Sequence, residues 1–103
     1  PDVVAYLLEI GLLKSYLDQV FCYTVLKRQH QVIVTFEPMA GQIFLTQDYF
    51  EALSSTNLKA QITENRGKLA IIFNVQQKKD YEILGEMICF AEKLQEIKAR
   101  KAE

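Results

Sequence analysis

The chain holds one imidazole, His30, and two thiols, Cys22 and Cys89. A nucleophilic dyad or triad needs a base oriented beside its nucleophile. His30 stands between Gln29 and Gln31 in a predicted hairpin tip and reads as an exposed turn histidine. Metal binding needs three or four converging ligands, yet the two cysteines lie far apart and no H-x-x-x-H, C-x-x-C or acidic calcium loop occurs. The four glycines, Gly11, Gly41, Gly67 and Gly85, are scattered singly, so neither a dinucleotide fingerprint nor a Walker loop is present. Among carboxylates, Glu37, Asp48, Glu51 and Glu64 are the ones that folding could gather for acid–base work, although acids near turns are usually just solvated. Tyr6, Tyr16, Tyr23 and Tyr49 sit on apolar faces and read as core residues with a wet hydroxyl. These residues predict a protein that is not an enzyme and that needs no cofactor and no metal.

Cations and apolar side chains carry the remaining possibilities. Lys27-Arg28 and Arg66-Gly67-Lys68 fall at the tips of two predicted hairpins, and tips projecting from one edge of a sheet would gather Lys27, Arg28, Arg66 and Lys68 into a phosphate-holding patch. Twelve Lys plus Arg against thirteen Asp plus Glu give a net charge of −1, so no bulk attraction to nucleic acid follows. Half of the residues are apolar. The first and last helical segments hold more apolar surface than one sheet face covers in so small a domain, and Leu12, Tyr16, Phe50, Met87 and Phe90 are the candidate partner-facing residues.

The elements that must position these residues follow from periodicity. From Asp2 to about Gln19 the chain reads as a helix started by Pro1 and Asp2, with Glu9, Lys14, Ser15 and Asp18 as a narrow wet stripe. Such a helix wants cover on more than one side. From Val20 the period becomes two, and β-branched and aromatic enrichment favours strand over a continued helix for 20–26. Alternation resumes as Val32, Val34 and Phe36, giving a hairpin with a basic tip. Glu37 to Gly41 is a turn, Gln42 to Leu45 a third short strand, and Thr46 the cap of a short helix through Leu53. Leu58 to Thr63 and Lys68 to Val75 flank the turn tetrad Glu64-Asn65-Arg66-Gly67 as a second hairpin. From about Lys79 to Arg100, Ile83, Met87, Phe90, Leu94 and Ile97 recur at 4-3-4-3 spacing and define a long amphipathic helix.

The expected architecture is one α+β domain over 1–103, an antiparallel five-stranded sheet with helices packed on it, in the order α-β-β-β-α-β-β-α. That order resembles the small dimeric chaperones of type III secretion, and the resemblance implies a dimeric protein-binding module. The expected function is thus a non-catalytic adaptor or chaperone-like module, homodimeric and bound to another protein. The alternative is a weak, sequence-independent nucleic-acid binder using the four hairpin-tip cations. Two core thiols, no basic leader at Pro1-Asp2, and charges at Glu9, Lys14 and Asp18 inside the most apolar run predict a cytoplasmic protein off the membrane.

Overall fold

A computed structural model describes residues 3–103, with the side chains of Val3 and Tyr6 outside the description. The expected helix start at Pro1 and Asp2 and the core role of Tyr6 therefore lie outside the described residues. Helix α1 spans Val3–Gln19, strands β1 and β2 span Cys22–Arg28 and Gln31–Phe36, and a 3₁₀ turn covers Pro38–Gln42. Helix α2 (Thr46–Leu53), strands β3 (Lys59–Asn65) and β4 (Lys68–Asn74) and helix α3 (Asp80–Lys101) complete the chain. The sheet is antiparallel with four strands in the order β1-β2-β4-β3.

The fifth strand expected at Gln42 to Leu45 does not form, so the order is α-β-β-3₁₀-α-β-β-α. Pro38 cannot donate to a ladder and starts a helical turn instead. The amides of Ile43 and Phe44 both donate to the Ala40 carbonyl, at 3.1 and 2.8 Å, which satisfies locally the groups a strand would have paired. Both edges of β2 are already taken, by β1 and β4. Phe44 is buried, but as a plug beneath α2 rather than as a strand residue.

At the end of α1 the chain reverses through Phe21, whose φ of 65° lies in the left-handed region, and the Glu37 amide anchors that turn by donating to the Phe21 carbonyl at 2.8 Å. Strand begins at Cys22, as expected for 20–26 in the main, with an irregularity between Cys22 and Thr24 that sets Tyr23 outside the regular pairing. Arg66 and Gly67 join β3 to β4 with φ of 55° and 79°, the all-positive pattern of a type I′ hairpin turn that glycine accommodates without strain.

Side chains of one sheet face meet the helices. Val32, Val34 and Phe36 of β2 and Ile71 and Phe73 of β4 are buried, and α3 brings Met87, Phe90, Ala91, Leu94 and Ile97 down onto them. Phe73 and Phe90 meet edge to face with centroids 5.2 Å apart, the geometry ring quadrupoles favour. Both α1 and α2 pack against α3. Tyr49 from α2 closes the far end of the core between Phe36 and Phe44.

Phe90 is fully buried and Phe50 is 58% exposed, although both stood as partner-facing candidates. Phe90→Ala should cost about 3–5 kcal/mol by urea denaturation, whereas Phe50→Ala should change stability by less than about 0.5 kcal/mol. Equal effects would show that the core is misplaced.

Candidate interaction surfaces

Helix α1 carries two apolar stripes. Ile10, Leu13, Tyr16 and Leu17 are the partly or fully buried one, and Leu13, Tyr16 and Leu17 pack at the core beside α3. Leu7, Leu8 and Leu12 form the other, and Leu7 and Leu8 are 61% and 69% exposed. Gly11 lies in that outer stripe with open space where a Cβ would stand. Between α1 and the β1 edge runs an apolar trough of about 360 Å³, bordered by Leu13, Leu17, Cys22 and Val25. Past Leu13 and Val25 it meets a second hollow of about 280 Å³ against Ile83, Leu84 and Met87. Strand β1 pairs only with β2, so its outer backbone edge borders this trough unpaired among the described residues.

The five partner-facing candidates separate on folding. Leu12 and Phe50 are exposed, Tyr16 is half-buried beside the core, and Met87 and Phe90 are core residues. Met87 touches the surface only as a wall of the second hollow. The residues that sequence reasoning passed over are Leu7 and Leu8. Their apolar type was visible, but not that α3 would cover only the opposite side of α1.

The four cations separate as well. Lys27 and Arg28 belong to β1 rather than to a tip, because the turn is only Gln29-His30. Successive strand residues face opposite ways. Lys27 stands opposite Val32 on the helix side and shares a hollow with Asp80. Arg28, Arg66 and Lys68 border one open depression of about 420 Å³ on the other side of the sheet. His30 is exposed at its turn, and its carbonyl accepts from the Val75 amide at 2.9 Å.

Asp48 and Glu51 are occupied structurally. Asp48 Oδ2 accepts from the Leu45 amide at 2.7 Å and lies 3.0 Å from Lys101 Nζ, while Arg100 meets Glu51 at 2.8 Å. Thr46, expected as the cap of α2, is its first helical residue; Leu45 is the cap, and Asp48 reaches back to its amide. Burial pushes the Asp48 carboxyl up, but the Leu45 hydrogen bond, Lys101 and Arg100 outweigh it and hold the group below its ordinary value. Glu37 and Glu64, both exposed, border a hollow of about 340 Å³ beside the buried Tyr49. Burial, and then Asp48, push the Tyr49 hydroxyl up to about 12. The two thiols are free, but not both in the core as expected: Cys22 is half-buried and Cys89 exposed on α3. Burial, then Asp18 and Glu37, raise the Cys22 thiol to about 11, which keeps it protonated and unreactive near neutral pH. Among the described residues no group of three or more His, Cys, Asp or Glu could hold a metal ion, and no helix is long and apolar enough to cross a membrane.

The fold and these surfaces define an α+β domain with one helical layer over a four-stranded antiparallel sheet, leaving an apolar helix face and the other sheet face open. The chain is similar to a solved structure described as the crystal structure of the C-terminal domain of a transcription-repair coupling factor, at a TM-score of 0.92 and 56% sequence identity. That similarity covers 97% of this chain and 62% of the solved one. No family model and no curated protein matches the sequence.

The Asp48 pair gives a pH prediction. Because the folded carboxyl titrates below its ordinary value of about 3.9, its stabilisation is complete above about pH 4 and is lost as pH falls through the lower folded value. Asp48→Ala should cost about 1 kcal/mol at pH 7 by denaturation, and its difference from the parent chain should shrink in acid below pH 4. A difference that persists unchanged at pH 2 would contradict this role.

Proposed function

We propose that this chain is a non-catalytic protein-binding domain, and that it serves as the C-terminal domain of a transcription-repair coupling factor. The observation that carries the reading is 56% identity across 97% of the chain to a structure so described. The outer stripe of α1 and the adjoining trough at the β1 edge supply its contact surface. Burying Leu7, Leu8 and Leu12 from their present exposure contributes on the order of 3–5 kcal/mol. That alone equals only millimolar binding before ordering costs are met, so the trough and the strand edge must join the contact.

A second copy is the occupant we propose first. A helix meeting its own symmetry mate is a closed contact, and the open space over Gly11 lets two α1 backbones approach closely. Sedimentation at tens of micromolar should give twice the chain mass, insensitive to salt because the face is apolar. Leu8→Glu should return a monomer whose thermal stability no longer depends on concentration and matches that of the parent chain at high dilution. A parent chain that is monomeric at every concentration would overturn the second copy and leave the leucine face to a different protein.

A further inference from the structure

The sheet face that no described helix covers carries charge of one sign. Strand register places Arg28, Gln31, Asn74 and Lys59 in one row across all four strands at one end of this face. Lys68 belongs to the same face at the other end, beside Arg66 in the turn. The rows between hold threonine, glutamine and aliphatic side chains without a carboxylate. The acids lie elsewhere. Glu64 stands opposite Leu69 on the helix side, and Asp18 and Asp80 border the hollows beneath α1 and α3. Among the described residues the open face thus carries cations and no carboxylate, although the chain as a whole has a net charge of −1. Among the described residues none of Arg28, Lys59, Arg66 or Lys68 forms an ion pair. The Lys68 ammonium lies 3.5 Å from the Tyr23 ring centroid, which orients its charge without cancelling it.

We infer that this open face binds the phosphate backbone of duplex nucleic acid without reading its sequence. Four strands make the face roughly 14 Å wide, and the steps from the Arg28 row to Lys68 make it roughly 20 Å long. Twenty ångströms of duplex present about a dozen phosphate charges. Single-stranded nucleic acid is bound by stacking bases on several rings. This face borders one ring, Tyr23, and Lys68 covers it. The inference is independent of the α1 contact, which lies on the helix side and does not change if this one fails.

The test is fluorescence anisotropy of a labelled 20-base-pair DNA duplex titrated with the whole chain between 50 and 200 mM salt. With three to four phosphates engaged, log affinity should fall against log salt with a slope near −3, a loss of about sixtyfold over that range. Lys59→Ala combined with Arg66→Asn should bring the slope to about −1. Asparagine accepts the positive φ at position 66, and Lys59 is exposed at a sheet edge, so the double variant should fold; circular dichroism checks that it does. Lys27→Ala, adjacent to Arg28 but on the helix side, should leave the slope unchanged. Absence of saturable binding below about 100 μM at 50 mM salt, a slope unmoved by the double substitution, or tighter binding to the single strand than to the duplex would each overturn the assignment.

Discussion

The structure depends on the seating of α3 across the inner face of the sheet. Its apolar stripe, centred on Phe90 against Phe73, covers the central strands β2 and β4, and the other two helices reach the core by packing on α3. The end of α3 also ties the pieces together. Lys98 Nζ donates to the Gln19 carbonyl at 2.7 Å and stands over the Phe21 ring, while Lys101 and Arg100 hold Asp48 and Glu51 of α2. Lys98, Arg100 and Lys101 occupy the last turn, where positive charge also suits the helix dipole.

One helical layer on one sheet face has two consequences. The opposite sheet face must tolerate water, and its threonines, glutamines and cations do so. Helix α1 receives cover from α3 on one side only, yet its sequence is apolar on two. The first consequence produces a cationic platform and the second an apolar ridge, on different parts of the molecule. A slightly negative chain can therefore present a cationic sheet face, because among the described residues that face carries no carboxylate.

Much of this was legible in the residues. The 4-3-4-3 spacing from Ile83 to Ile97 located α3 and its buried face, and alternation located both hairpins. The failures have physical causes. Ile43-Phe44-Leu45 has strand-like composition, but the Ile43 and Phe44 amides donate back to the Ala40 carbonyl and the Leu45 amide donates to Asp48, so these donors are already satisfied without a ladder. Met87 and Phe90 belong to the same stripe as Leu94, and all three are buried in the core over β2 and β4. Exposed apolar side chains remain, on α1 at Leu7, Leu8 and Leu12 and elsewhere at Leu45 and Phe50. Lys27 and Arg28 are neighbours in sequence and opposite in space, because the turn after them is two residues long and both lie within the strand.

We propose that α3 and the sheet form the most stable unit, and that α1 before Leu13, where Leu7 and Leu8 stand exposed, is held less firmly than the stretch from Leu13 to Val20 that reaches the core. Native-state amide hydrogen exchange of the isolated chain at low concentration tests this most directly. Amides of α3, β2 and β4 are expected to exchange only through global unfolding, and those of α1 before Leu13 through a local opening of lower free energy. Protection of that part of α1 equal to α3 in the monomer would contradict it, since the helix would then be fully seated and its leucines would need no partner.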